Sequence, residues 1–227
     1  MGERVTIKGP DGSFSAYVAS TGKAAPAVVV IQEIFGVNEV MRKTCDWLAG
    51  EGYHAICPDL FWRIEPGIDI TDKTQAEWDR AFELFKAFNV DTGITDIKAA
   101  IAHLRDGGHA KVGAVGYCLG GLMAYLTAAR TDVDAAVSYY GVGIDNYLGE
   151  ASNVSKPLLL HVAEEDGFVS KESQAKMAEG LKGPHFTMRT YPGRDHAFAR
   201  QGGEHYHEAD AKLANERTLD FFRTYLK

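Results

Sequence analysis

Cysteine is scarce in this chain: three residues, Cys45, Cys57 and Cys118, among 227. A count that is low and odd excludes a disulfide-framed scaffold. A basic excess is missing as well. Lys and Arg number 24 against 31 Asp and Glu, a formal charge of −7, the wrong sign for a protein whose main task is to hold nucleic acid. It does not exclude a small anionic substrate, which one local Arg can serve. The longest apolar run, Ala24 to Ile34, carries Pro26, Gln32 and Glu33 and is too short to span a bilayer. No charged-then-apolar leader precedes a cleavage site, so the expectation is a cytoplasmic protein with reduced thiols and no membrane partner. Metal motifs are thin: His205 and His207 stand two apart, and there is no HExxH or Cys cluster. No GxGxxG follows a strand pattern. No cofactor and no metal are therefore expected. Repeats, low-complexity tracts and long linkers are also lacking, which argues for a single domain over 1–227.

What is present is an ordinary globular mixture, 45% hydrophobic and 24% charged. A chain of this length can bury roughly 70–75% of its unfolded surface, enough to fold without staples. The pattern predicts a hairpin from 5–8 and 14–19 around Pro10-Asp11-Gly12. Further strands are expected at 27–32, 53–57, 112–117, 135–140, 157–162 and 186–191, and helices at 38–50, 78–88, 93–105, 119–130, 170–180 and 207–225. The run AVVVIQ at 27–32 is continuously apolar up to its last residue, as in strands covered on both faces. Strands alternating with helices mark an α/β chain with a mostly parallel sheet. Residues 60–75 are irregular, and 60–92 is a candidate cap or lid. Single-domain chains of this class make a monomer the default.

The sharpest local signal is VGAVGYCLGG at 112–121. A β-run enters Gly116-Tyr117-Cys118-Leu119-Gly120 and a helix-forming stretch leaves it. This is the Gly-x-nucleophile-x-Gly elbow, with Cys in the place of Ser. Such a turn strains the nucleophile's backbone and leaves no room for side chains beside it. It also sets the Leu119 N–H at a helix N-terminus, where a developing oxyanion is favoured. A buried structural thiol is the plain alternative for Cys118, and it is the reading adopted for Cys45 and Cys57, which lack an elbow. A thiol nucleophile needs a base, and the base an orienting acid. Glu164, Glu165 and Asp166 compete for the acid. Asp166, just before Gly167, is preferred. His196, past a strand and a Pro-Gly turn, is preferred as base over His185, His205 and His207. His161, inside an apolar strand, reads as a core histidine.

With these residues assembled, the sequence resembles the dienelactone hydrolase family, α/β-hydrolases with a Cys-His-Asp triad. Its markers are QEIFGVN at 32–38, CPDL at 57–60, GYCLGG at 116–121, YYGVG at 139–143, Asp166-x-x-Val169, His196-x-Phe198-Ala199-Arg200 and LANERTLDFF at 213–222. The resemblance implies Cys118 as nucleophile, His196 as base, Asp166 as its partner and Glu33 as a further acid acting on the resting cysteine. It implies oxyanion donors at Leu119 and Ile34, and Arg200 as a holder of a substrate carboxylate. Phe35, Trp78, Arg80, Phe82 and Phe85 are the remaining candidates for the substrate pocket. The chain departs from the family where an Arg is expected: that position is Trp78, the nearby Arg80 is about 200° around the helix, and the family's Tyr becomes Phe82. A hydroxyl residue after the histidine becomes Ala197. The expectation is hydrolysis of a small ester or lactone, of dienelactone type, through a cysteine thioester. The competing readings are a less selective carboxylesterase or lactonase for neutral substrates, and a non-catalytic, thiol-bearing binding or redox-sensing protein.

Overall fold

The computed structural model describes residues 2–20, 22 and 25–227. Ala24, the start of the apolar run, lies outside the described residues. The chain falls into two compact units, 1–113 and 114–227.

In the first unit, β1 (Glu3–Gly9) and β2 (Gly12–Ala19) form the expected antiparallel hairpin. The strand order continues with β4 (His54–Pro58), antiparallel to β2, and β3 (Ala27–Ile31), parallel to β4. Every residue of β3 is buried, because α1 (Glu39–Gly50) and α3 (Val90–Asp106) both pack on it. β5 (Val112–Tyr117) starts at the end of this unit and runs into the next.

The second unit orders β5, β6 (Ala135–Tyr139), β7 (Leu158–Ala163) and β8 (Phe186–Tyr191), with β6–β7 and β7–β8 parallel. Helix α4 (Leu119–Arg130) packs on β6 and α6 (Glu208–Tyr225) on β6 and β7. Helix α5 (Lys171–Gly180) packs against a 3-10 segment, Ile144–Asn153, which the sequence pattern does not predict.

Two helices begin three residues earlier than apolar periodicity places them, and capping is the cause. Helix α2 (Gln75–Ala87) starts after Thr74, whose hydroxyl accepts from Glu77 N at 3.3 Å. The Glu77 carboxylate returns to the Thr74 hydroxyl at 2.8 Å, so Thr-x-x-Glu works as a capping unit. Asn89 caps α3 by accepting from Thr92 N at 3.0 Å. His207 is not the first residue of α6 but its cap, accepting from Asp210 N at 3.3 Å.

The irregular segment after β4 is tied to its surroundings at several points. Asp59 accepts from Phe61 N at 3.0 Å and from Gly67 N at 2.7 Å. Gln32 accepts from Leu60 N at 2.9 Å. Trp62 and Arg63 both donate to the buried Asp96.

Behind the strand ends of the second unit lies a buried polar chain. His161 on β7 meets the Tyr191 hydroxyl at 2.8 Å and the Thr218 hydroxyl at 3.0 Å. Thr218 is 2.6 Å from the Tyr139 hydroxyl, which also donates to Asn215 at 3.1 Å. Both ring nitrogens of His161 are satisfied, as a core histidine requires. Burial is the main force lowering its pKa, helped by the positive charges of Arg217 and Arg189, and it falls to about 3. An unfolded His titrates near 6.5. Between those values the unfolded chain takes up a proton that the folded chain refuses. Stability conferred by neutral His161 is therefore lost as pH falls from about 6.5 toward 3, by up to about 1.4 kcal/mol per pH unit. His161→Gln removes that titration. In urea melts at a series of pH values, the stability gap between wild type and variant should narrow on acidification; a gap that stays constant would rule the linkage out.

Candidate active site

Cys118 sits where β5 turns into α4, with φ 57° and ψ −115°. A non-glycine residue in that region stores roughly 1–3 kcal/mol of strain, so its surroundings must hold it there. They do so on both sides. Cys118 N donates to Tyr139 O at 3.1 Å, and Cys118 O accepts from Gly121 N at 2.9 Å and Val142 N at 3.3 Å. The glycines permit these approaches. A Cβ on Gly116 would lie 1.9 Å from Gly120 O, and one on Gly121 would lie 2.6 Å from both Gly141 Cα and Tyr139 O. Leu119 opens α4, so its N–H belongs to the first turn, whose donors have no intrahelical acceptor.

The three acids after β7 are separated by their partners. Glu164 accepts from Gly193 N at 3.0 Å, Glu165 pairs with Lys171 at 2.8 Å, and Asp166 meets His196. Both Asp166 oxygens lie 3.0 Å from His196 Nδ1. That contact fixes the proton on Nδ1 and leaves Nε2 for exchange with a reacting group. Nε2 is buried and makes no hydrogen bond of normal geometry. The Cys118 sulfur acts on the ring electrostatically, as Asp166 does. Such contacts are often loose before substrate binds. The ring is flanked edge-on by Phe168, at 4.8 Å between centroids, and Tyr140, at 5.1 Å. Phe198 is fully buried against Tyr140 and Tyr191 and anchors the loop that carries the histidine. Tyr140, Phe168 and Phe198 escape a reading led by reactive groups. Phe198 and Tyr140 stand inside the HxFAR and YYGVG signatures, which is the signal that could have found them.

Burial is the largest single influence on His196 and opposes its protonation. It is outweighed by the negative charge of the Cys118 sulfur, the Asp166 hydrogen bond, the close approach of the Cys118 sulfur and the Asp166 charge, which together raise the imidazole to about 10. Cys45 is the contrast: burial first, then the Cys57 thiol, pushes it well above the ordinary thiol range. It and Cys57 are fully buried and chemically quiet.

Arg200 is nearly buried, with its stem against Gly203. Ala197, between His196 and Arg200, has φ 61°. In the first unit, Glu33, Ile34 and Phe35 follow β3 and are buried. Trp78 meets Phe35 edge-on at 5.0 Å and stacks on Phe82 at 5.6 Å, while its Nε1 donates to Asp72 O at 3.1 Å. Arg80 is held between Glu65 and Glu83. Phe85 is exposed. Among the described residues no group of three or more His, Cys, Asp or Glu side chains could hold a metal ion, and no helix is long and apolar enough to cross a membrane.

A mostly parallel sheet with a nucleophile-type elbow, then an acid and a histidine at later strand ends, defines the α/β-hydrolase fold. A solved structure from Klebsiella pneumoniae, named as a candidate dienelactone hydrolase, shares it at a TM-score of 0.88 and 26% identity, covering 99% of both chains. The chain belongs to the dienelactone hydrolase family, whose model matches residues 14–226. It is 52% identical over 224 residues to a protein of Azospirillum brasilense named as a candidate carboxymethylenebutenolidase, covering 96% of each. It is 42% identical over 224 residues to the carboxymethylenebutenolidase of Pseudomonas putida, covering 96% of this chain and 95% of that one.

Because the Cys118 sulfur is among the groups that raise His196, Cys118→Ala should lower the His196 pKa by about one unit or more, since an adjacent opposite charge shifts a group by about 1–3 units. A side-chain NMR titration of His196 in both proteins measures it. An unchanged value would mean that Asp166 alone sets the histidine.

Proposed function

We propose that this chain hydrolyses small lactones and activated esters, of dienelactone type, through a thioester on Cys118. The observation that carries the reading is the pairing of His196 with both oxygens of Asp166 beside a cysteine held at a strained elbow. The sulfur attacks the carbonyl carbon while the thiol proton resides on His196 Nε2. The carbonyl oxygen becomes an oxyanion and receives the Leu119 N–H, a type of donor worth on the order of 3 kcal/mol. Collapse breaks the ester bond, and His196 gives its proton to the departing oxygen. In a lactone that oxygen stays tethered to the acyl group. His196 then takes a proton from water, whose oxygen attacks the thioester, and the sulfur leaves. Asp166 holds the imidazole in the tautomer that both steps need.

Family resemblance adds Glu33 as the acid acting on the resting cysteine, Ile34 as a second oxyanion donor and Arg200 as the carboxylate holder. Phe35, Trp78, Phe82 and Phe85 belong to the same proposal as apolar wall, and Arg80 as an auxiliary cation. The names of the relatives at 52% and 42% identity support the carboxylate-bearing lactone.

One observation favours a second reading, a less selective esterase for neutral substrates. Where the family pattern expects an arginine, Trp78 stacks on Phe82, and Arg80 is already engaged by two carboxylates. Steady-state kinetics with a carboxylate-bearing dienelactone and an uncharged activated ester, on wild type and Cys118→Ala, separates the two. The lactonase reading expects a kcat/KM at least about tenfold higher for the dienelactone, with loss of about 10³-fold or more in Cys118→Ala. Cleavage of the neutral ester alone would move the assignment to the esterase. No cleavage of either, with rapid oxidation of Cys118 by peroxide, would leave a thiol sensor.

A further inference from the structure

Asp195 stands beside the proposed base and is not part of the triad. Its Oδ1 accepts two backbone hydrogen bonds at once, from Gly167 N at 2.9 Å and from His196 N at 2.6 Å. Gly167 directly follows Asp166. One carboxylate oxygen therefore joins the main chain beside the acid to the main chain of the base. His205 acts from the other side: its Nδ1 lies 3.2 Å from His196 O and 3.6 Å from Asp195 Oδ2. Both peptide groups flanking the His196 Cα are thus engaged by side chains.

We propose that Asp195 is a positioning residue, which locks the His196 main chain to the Asp166 turn, with His205 as the second clamp. The proposal rests on the Cys118–His196–Asp166 reading above. The need for such a lock is physical. His196 is followed by Ala197 at φ 61°, a conformation an alanine does not choose by itself, so the turn must be held from outside. Other ties join the same two loops: Glu164 N to Tyr191 O at 3.1 Å, Glu165 N to Arg194 O at 2.8 Å and Gly193 N to Glu164 at 3.0 Å. They act upstream of the base, whereas Asp195 reaches the base itself. A catalytic group displaced by about 1 Å can cost on the order of a hundredfold in rate.

The side chain of Asp195 is 41% exposed, so solvent screens its charge and its value lies in accepting two N–H groups. That separates two substitutions. Asp195→Asn keeps an accepting Oδ1, and Asp195→Ala keeps none. The experiment compares wild type, both variants, His205→Ala and a Cys118→Ala control. It reads p-nitrophenyl acetate kinetics, melting temperature and the rate of Cys118 alkylation by iodoacetamide, followed by peptide mass spectrometry. Cys45 and Cys57 are fully buried and do not compete.

Asp195→Ala is expected to lower kcat about tenfold or more with KM within about twofold, and to slow Cys118 alkylation. Asp195→Asn should keep both rates within about threefold, and His205→Ala should show the smaller loss of one clamp. A role in stability alone would lower the melting temperature and leave kcat and alkylation untouched, which would overturn the proposal. So would an Asp195→Asn variant as impaired as Asp195→Ala. If wild type cleaves no ester, the hydrolase reading fails, and alkylation still decides: slowing in Asp195→Ala with recovery in Asp195→Asn upholds the lock, and equal rates in all three sink it.

Discussion

A single strained residue organises the second unit. Cys118 can stay at φ 57° because its N–H is taken by Tyr139 O and its carbonyl by Gly121 N and Val142 N. Those bonds demand that α4, β5 and the turn after β6 approach more closely than side chains allow, and Gly116 and Gly121 supply the space. Tyr140, the next residue beyond that contact, also has a positive φ, 37°, and its N–H is held by His161 O at 2.8 Å. Its ring then lies edge-on to His196. The geometry at the sulfur and the wall beside His196 come from one set of close backbone contacts. Packing of β6 and β7 enforces that set, and local preference does not.

Much of this is legible in the amino-acid sequence. Gly-x-Cys-x-Gly between a β-run and a helix-forming run leaves few alternatives, because the glycines answer a steric requirement. The order nucleophile, acid, histidine follows from the fold. What sequence cannot settle is direction. Glu164, Glu165 and Asp166 are three adjacent carboxylates at one strand end. Only the folded arrangement sends one to Gly193 N, one to Lys171 and one to His196. Asp195 is obscured in a similar way. It looks like solvated charge, whereas its Oδ1 accepts two backbone hydrogen bonds that sequence pattern does not encode.

Helix starts depend on local chemistry that apolar periodicity does not carry. Periodicity starts α2 at Trp78, whereas Thr74 and Glu77 start it at Gln75, and Asn89 does the same for α3. The 3-10 segment at 144–153 is held by contacts with α4 and α5. Residues 60–74 do lack regular structure, yet bonds from Asp59, Gln32 and Asp96 tie their first part down.

Two histidines of the same unit show how the fold divides labour between stability and chemistry. His161 and His196 are almost equally buried, and for both burial is the largest influence and opposes protonation. His161 is surrounded by hydroxyls and by the charges of Arg189 and Arg217, and it is driven down to about 3. His196 faces a sulfur and a carboxylate, and it is driven up to about 10. The outcome is set by the sign of the neighbours rather than by depth. A neutral imidazole with both nitrogens satisfied can only hold strands together. An imidazole with Nδ1 fixed on Asp166 and Nε2 left without a normal hydrogen bond can take and return a proton. That second arrangement works only while the ring keeps its register between Asp166 and Cys118. For the proposed hydrolysis, precision in the main chain on either side of His196 is accordingly as much a part of the chemistry as the charges themselves.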